Sequence, residues 1–277
     1  MASKKQLEER ILSLESKLAS LSSEKRIIDI VYPNVSRFSQ WEELKYSIRS
    51  LEKNLRDISF RLFIVGDWPE WLNPLEAFHI ACEYSGKTPR IDIIHKHLAV
   101  IADDRVGEEY FWMNDDIYLV NPVSYADICL NVAVNNLREA RGRMSRQTVW
   151  GRDNHRTYDL LKSQNLPTWN YAAHIPHRFE KKKVSFLIES FRMLETPLVL
   201  EQLYYNFWFR DMFPYFDTLE VTNNQGFCVN RQDPNIANLE AQLKVKKYMN
   251  NGEGGMGTIL KKYLRKLFPE PSSFETS

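Results

Sequence analysis

Two adjacent carboxylates, Asp115 and Asp116, follow Asn114 and the apolar run Tyr110-Phe111-Trp112-Met113, and Ile117-Tyr118-Leu119 comes directly after them. Carboxylates placed side by side at a buried strand end repel one another unless a cation or hydrogen-bond donors offset them. A hard divalent cation, Mg²⁺ or Mn²⁺, takes such oxygen ligands and shares its remaining positions with phosphate oxygens. The chemistry on offer is neutralisation of a diphosphate, with Asp115 and Asp116 as metal ligands and Asn114 as a hydrogen-bonding neighbour. Asn and Asp are also ordinary turn formers, so the same tripeptide would serve a plain chain reversal. Its place after an apolar strand favours the site, because open parallel sheets bind ligands outside the carboxyl ends of their strands. The other acidic pair, Asp103-Asp104, sits with Arg105 and Glu108 and reads as a solvated loop.

Proton transfer from a hydroxyl needs a base within ~3 Å, a role open to His, Asp or Glu. His174 and His177 flank Pro176, and Glu201 lies in the segment after Pro197. Arg49 is suited to planar, two-donor phosphate binding, or to a surface ion pair with Glu42 or Glu52. Lys181, Lys182 and Lys183 form a charge run of the kind that is usually solvated.

The elements that must position these groups begin with Ile27-Ile28-Asp29-Ile30-Val31-Tyr32, a β-branched run stopped by Pro33-Asn34 and expected to be a buried strand. Trp41, Leu44, Ile48, Leu51 and Leu55 then follow helical spacing, and Phe60 to Val65 resumes strand character until Gly66. Strand, helix, strand is the unit of a parallel sheet. Further strands are expected at Ile91-Asp92-Ile93-Ile94, at Tyr110 to Met113 and at Ile117 to Val120. Together these predict an α/β fold with a Rossmann-like first half: a mixed, mostly parallel sheet flanked by helices. From about residue 130 the texture is helical and polar, with Leu130 to Arg143 carrying Arg138, Arg141 and Arg143. Helices are expected over Leu187 to Leu194 and Leu198 to Phe209. Gly252, Gly254, Gly255 and Gly257 suggest a mobile linker, and Ile259, Leu260, Tyr263, Leu264 and Leu267 then mark an amphipathic helix. At the other end Leu7, Ile11, Leu14, Leu18 and Leu21 make a heptad stripe. The expected division is an amino-terminal helix over 1–26 and a main domain over 27–277. Residues 4–25 either join copies of the chain as a homo-oligomer or pack along that domain.

With 277 residues, 43% hydrophobic and 13% aromatic, the chain supports a sizeable core. A net charge of +1, from 37 Lys and Arg against 36 Asp and Glu, excludes a protein whose whole surface coats a polyanion. Local patches remain: Lys244, Lys246, Lys247, Lys261, Lys262, Arg265 and Lys266 would steer a nucleic acid or lie on a membrane surface, or simply form the solvated face of a helix docked on its own domain. No run approaches the ~18 apolar residues of a membrane span, and the first residues lack a signal-like apolar region, so a cytoplasmic location is expected. Cys82, Cys129 and Cys228 are odd in number and lack zinc-site spacing, which suggests buried free thiols.

Several segments, taken in order, resemble the Stealth family of capsular polysaccharide phosphotransferases. They are Asp29-Ile30-Val31-Tyr32, Glu43 to Lys53, and Phe63-Ile64-Val65-Gly66-Asp67 with Pro69-Glu70-Trp71-Leu72. Tyr110 to Tyr118 with Pro122-Val123, His174-Ile175-Pro176 with Phe179 and Lys181, and Pro197-Leu198 to Tyr204-Tyr205 continue the series. The ending Leu267 to Glu275 is similar to tails of related sugar transferases. The resemblance runs from about residue 27 to 275 and is most diverged in the middle.

This resemblance implies a GT-A-like fold with the acidic turn as its Mn²⁺ or Mg²⁺ site. It implies a nucleotide-sugar donor of the UDP-sugar type and transfer of hexose 1-phosphate to a saccharide hydroxyl, as in polysaccharide biosynthesis. It places Tyr32 and Asn34 in the nucleotide pocket, where an aromatic face would stack on the base, although Tyr32 equally suits the core. Gly66 and Asp67 become donor contacts or a simple chain turn, Lys181 a phosphate contact and His174 the catalytic base, with Glu201 as second candidate. Arg49, Asn114 and Asp115 complete the donor-binding set. One departure stands out. The family reads Tyr-Thr-Trp-Val-Asp-Gly after the first strand, whereas this chain reads Tyr32-Pro33-Asn34-Val35-Ser36. Loss of that acidic residue brings forward ordinary glycosyl transfer at the anomeric carbon. It also leaves open a polyanionic acceptor such as nucleic acid, and a non-catalytic, oligomerising protein on a decayed transferase fold.

Overall fold

The computed structural model describes residues 26–39, 41–140, 142, 144–212, 214–216, 226–252 and 254–276. The heptad segment 1–25 lies outside the described residues, as do Arg141 and Arg143. In chain order the strands are β1 (Arg26–Asn34), β2 (Ile58–Gly66), β3 (Ala77–Ile80), β4 (Glu109–Trp112), β5 (Ile117–Leu119), β6 (Val132–Ala133), β7 (Asn135–Asn136), β8 (Trp169–Asn170), β9 (His177–Glu180), β10 (Tyr215–Phe216), β11 (Gly226–Val229) and β12 (Tyr248–Asn251).

The central sheet has the order β3-β2-β1-β4-β9, parallel throughout except for the antiparallel β4–β9 pair. This is the expected mixed, mostly parallel α/β architecture. Its strands read as apolar runs because both faces are covered. Val31, Phe63, Tyr110 and Trp112 pack on one face with the helices Pro89–Ala102, Lys181–Ser190 and Leu200–Trp208. Ile30, Tyr32, Ile64, Phe111 and Met113 pack on the other face with the helix Glu43–Asn54. The chain runs outward from β1 to β2 and β3, then returns to place β4 on the opposite side of β1. That reversal opens a crevice at the carboxyl ends of β1 and β4. A second sheet, β11-β12-β5, borders it, with β5 antiparallel to β12.

Several expectations need correction. Ile91 to Ile94 lie in the helix Pro89–Ala102, not in a strand: Thr88 Oγ1 caps it by accepting from Ile91 N at 3.4 Å, and Pro89 occupies the first turn. A four-residue apolar run does not by itself separate strand from buried helix. Leu130 to Arg143 is no continuous helix, since β6 and β7 come before the short helix Leu137–Ala140. The helix expected from Leu187 begins at Lys181 and ends at Ser190. The glycine-rich stretch is a packed turn, because a Cβ on Gly255 would lie 1.8 Å from the Val229 carbonyl oxygen. The following helix, Thr258–Leu267, buries Leu260 and Leu264 on its own domain, while Lys261 and Arg265 lie over the Trp41 ring. None of the three cysteines is fully buried, and all are free thiols. Among the described residues no helix is long and apolar enough to cross a membrane.

Candidate functional site

Asn114, Asp115 and Asp116 leave the carboxyl end of β4, between buried Trp112 and Met113 on one side and buried Ile117 on the other. The apolar anchors fix the turn, and the polar residues between them line a cavity of about 620 Å³. Burial, then the charges of Asp116 and Glu43, push the Asp115 carboxyl up to about 7. Asp116 faces His174, with Oδ2 3.3 Å from Nδ1. Burial works against the imidazolium of His174, but the hydrogen bond and charge of Asp116, followed by Glu201, outweigh it and raise the His174 pKa.

Four carboxylates, Glu43, Asp92, Asp115 and Asp116, line this cavity against one ammonium, Lys96. Asp92 is already satisfied, since it pairs with Lys96 one helical turn on and accepts from Ser85 N at 2.8 Å. Glu43 accepts from Asn251 Nδ2 at 2.8 Å, and Asn251 in turn accepts from the Tyr118 hydroxyl at 2.9 Å. The crowding of like charge is therefore greatest at Asp115 and Asp116, where His174 is the partner of Asp116. Among the described residues no group of three or more His, Cys, Asp or Glu side chains converges as a metal cage. Two carboxylates facing a large open cavity fit a cation that completes its shell with water and substrate phosphate oxygens.

A smaller chamber of about 190 Å³ shares Asn114 and His174 with the cavity. Its lining adds Arg90, His97, Trp150, His177 and Glu201. Glu201 stands in the first turn of the helix Leu200–Trp208, with Oε1 3.7 Å from Arg90 Nη1. His177 donates from Nε2 to the Ala173 carbonyl at 3.0 Å, closing the loop that carries His174. Burial lowers the His177 pKa. His97 stacks on Trp112 at 3.8 Å and shares a hydrogen bond with the Tyr110 hydroxyl at 2.8 Å.

The structure therefore brings together Asn114, Asp115, Asp116, His174 and Glu201, and separates other candidates from them. Tyr32 is fully buried, with its hydroxyl 2.8 Å from Ser47 Oγ and 3.2 Å from Met113 Sδ, so no base can stack on it. Asn34 and Asp67 bind each other: Asn34 Nδ2 donates to the Asp67 carbonyl at 2.7 Å, and the Asp67 carboxylate accepts from Ser36 N at 2.8 Å. Gly66 has φ +116°, and a Cβ there would fall 2.1 Å from the Asn34 carbonyl oxygen. These three residues fold the loop that forms the cavity wall, and none of them lines the cavity. Arg49 is held by Glu275 at 2.6 and 2.7 Å, because the chain's end folds back beside its helix. Lys181 donates to the Asp103 carbonyl at 2.7 Å, drawn there by the short connection before β4.

Sequence reasoning missed Glu43, Lys96, Arg90 and Trp150. A lysine within the apolar stretch Ile91 to Ala102, four residues after an aspartate, is a readable sign of a buried pair. It also missed Phe38 and Tyr84, whose rings meet edge to face at 5.4 Å on the cavity wall. These two, in place of Tyr32, supply the aromatic surface, and their 46-residue separation leaves no sequence signal.

No protein-family model matches the chain, and no curated protein matches it in sequence. Among solved structures it is similar to the galactosyltransferase LgtC in complex with donor and acceptor sugar analogs: 11% identity over 89% of this chain and 97% of that one, TM-score 0.49. It is also similar to the apo WbbM bifunctional glycosyltransferase, with 11% identity over 84% and 47% and TM-score 0.45. The glycosyltransferase GlyE of Streptococcus pneumoniae TIGR4 follows, with 11% identity over 88% and 61% and TM-score 0.38. Likeness at this level concerns the course of the chain and assigns no residue a role.

Proposed function

We propose that the chain is a metal-dependent glycosyltransferase that moves a sugar from a nucleotide-sugar donor, of the UDP-sugar type, to a hydroxyl of a saccharide acceptor. The observation that carries this reading is the pair Asp115 and Asp116, crowded together at the crevice beside β1 and β4, facing a large cavity that joins a smaller chamber. In this reading the donor fills the larger space, with its base against Phe38 and Tyr84 and its diphosphate at the acidic turn. Asp116 and Asp115 would hold Mg²⁺ or Mn²⁺, which supplies neutralisation of the charge growing on the nucleoside diphosphate.

The chain's own residues do the rest. His174, anchored to Asp116, stands where the two spaces meet and orients the donor sugar. The acceptor enters the smaller chamber, where Glu201 takes the proton from its hydroxyl. The acceptor oxygen bonds to the anomeric carbon as the bond from that carbon to the phosphate oxygen breaks, and the nucleoside diphosphate leaves.

Calorimetric titration of UDP-, GDP- and CDP-sugars with and without Mn²⁺ tests the reading. Metal-dependent binding that is lost in Asp116→Ala is expected, and absence of binding by every donor would sink it in favour of a non-catalytic role. The released nucleotide identifies the bond made, because glycosyl transfer yields a diphosphate and hexose-1-phosphate transfer a monophosphate.

A further inference from the structure

The smaller chamber does not end at the acidic turn. Trp150, in the first turn of the helix Val149–Ser163, lines it on one side and lines a third cavity of about 300 Å³ on the other. That third cavity is walled by Asn135, Glu139, Ala140, Met144 and Asn170. Trp150 is 48% exposed, an unusual state for so large an apolar residue placed between two concave spaces. Behind it the polar groups are built in. Asn170 is 6% exposed, donates from Nδ2 to Asn135 Oδ1 at 3.1 Å and accepts from Gln202 Nε2 at 3.1 Å. Gln202 also donates to Asn154 Oδ1 at 2.7 Å, and Asn154 lies in the same helix as Trp150. Asn135, whose oxygen accepts from Asn170, itself lines the third cavity.

An indole face between carboxamides and a carboxylate is the chemistry that recognises pyranose rings. The apolar C–H face of a sugar lies on the ring, while its hydroxyls pair with amide and carboxylate groups. The described residues lining the third cavity include no lysine or arginine, and the one arginine of the smaller chamber, Arg90, faces Glu201. Glu139 and Glu201 line this track, and among its described lining residues Arg90 is the one lysine or arginine, a balance that disfavours an acidic ligand.

From these observations we infer an extended acceptor site for a neutral oligosaccharide. The reacting sugar sits beside Glu201 and His174, the next lies on Trp150, and a third reaches Asn135, Glu139 and Asn170. The inference rests on the transferase reading for which sugar reacts, and on the cavities alone for the length and neutrality of the ligand.

The test is an array of neutral and acidic glycans of one to four residues, probed with the full chain and followed by titration of the best binders. Donor titration on the same samples serves as a separate readout. The expected result is binding of neutral glycans longer than one residue, weakened at least ~10-fold by Trp150→Ala, the loss that ~1.4 kcal/mol represents. Asn135→Ala should weaken trisaccharides more than disaccharides, and its thermal melting reports whether the fold survives. Preference for acidic glycans, for single sugars only, or indifference to both substitutions would overturn the inference, as would the absence of any glycan binding by a protein that binds donor. Glycan binding without any nucleotide-sugar binding would instead leave this site standing and remove the transferase reading.

Discussion

Asp29 and Asp116 stand at opposite ends of the central sheet, and their surroundings differ in kind. Asp29 lies toward the amino end of β1, directly across from Arg61 on β2. Its two oxygens accept from Arg61 Nε and Nη2 at 2.7 Å each, and Oδ2 also accepts from Gly107 N at 2.6 Å. Asp116 has a second carboxylate as its chain neighbour and one imidazole as its partner. A buried carboxylate with three donors serves the fold, whereas carboxylates left to repel one another at a cavity mouth are held ready for a ligand. The sheet tolerates the second arrangement because its apolar strands and helices are complete without it.

The strongest way to break this comparison is to remove one acid from each end. Asp116→Ala should lower the transfer rate on the order of 10²- to 10³-fold, as loss of one group stabilising developing charge commonly does. Its stability should change little, because relief of the repulsion on Asp115 offsets loss of the contact with His174. Rate assays with saturating Mn²⁺ beside urea unfolding check both halves. Asp29→Ala should do the reverse, costing about 1–3 kcal/mol in urea unfolding by orphaning the Gly107 N–H and freeing Arg61, with donor affinity retained. Equal loss of activity in both variants would erase the distinction.

Arg49 sharpens the same contrast from outside the site. Arg49→Ala should cost about 1–2 kcal/mol of stability through Glu275 while leaving donor affinity unchanged in calorimetry. A large loss of donor binding would return it to the phosphate role that its residue type suggests.

An effect confined to acid pH concerns the floor of the smaller chamber. Burial, with a lesser contribution from His177, pushes the His97 pKa from 6.5 down to about 3. Between those values the unfolded chain binds a proton that the folded chain does not, so stability is lost as pH falls from about 6.5 towards 3. His97→Gln should flatten that acid limb in pH-resolved thermal unfolding. An unchanged slope would show that His97 takes up its proton without unfolding.

Much of the architecture was legible in local pattern. The runs at Ile27 to Tyr32, Phe60 to Val65 and Tyr110 to Trp112 are strands because β-branched and aromatic residues suit a sheet covered on both faces. The acidic turn was legible for the same reason, since its flanks are unmistakably apolar. Ile91 to Ile94 misled because four apolar residues satisfy either period, and the deciding cap lies in Thr88 and Pro89. Tyr32, Arg49 and Lys181 misled in another way. Each has a side chain suited to a nucleotide or a phosphate, and each is claimed by a partner remote in sequence: Met113 lies 81 residues from Tyr32, Glu275 226 from Arg49 and Asp103 78 from Lys181.

By itself the sequence determined the strand-helix-strand opening, the acidic turn at Asp115 and Asp116 and the amphipathic closing helix, because each depends on residues adjacent in the chain or one helical turn apart. Only the tertiary structure decided which polar groups remain uncommitted. It tied Arg49 and Lys181 away, buried Tyr32, brought Phe38 and Tyr84 together on the cavity wall, and set Glu201 and Trp150 in a chamber with Asn114, from which they are far removed in sequence. Hydrogen bonds and ion pairs act over a few ångströms, so a residue's availability for chemistry follows from its neighbours in space, and those are chosen when the sheet and its helices pack.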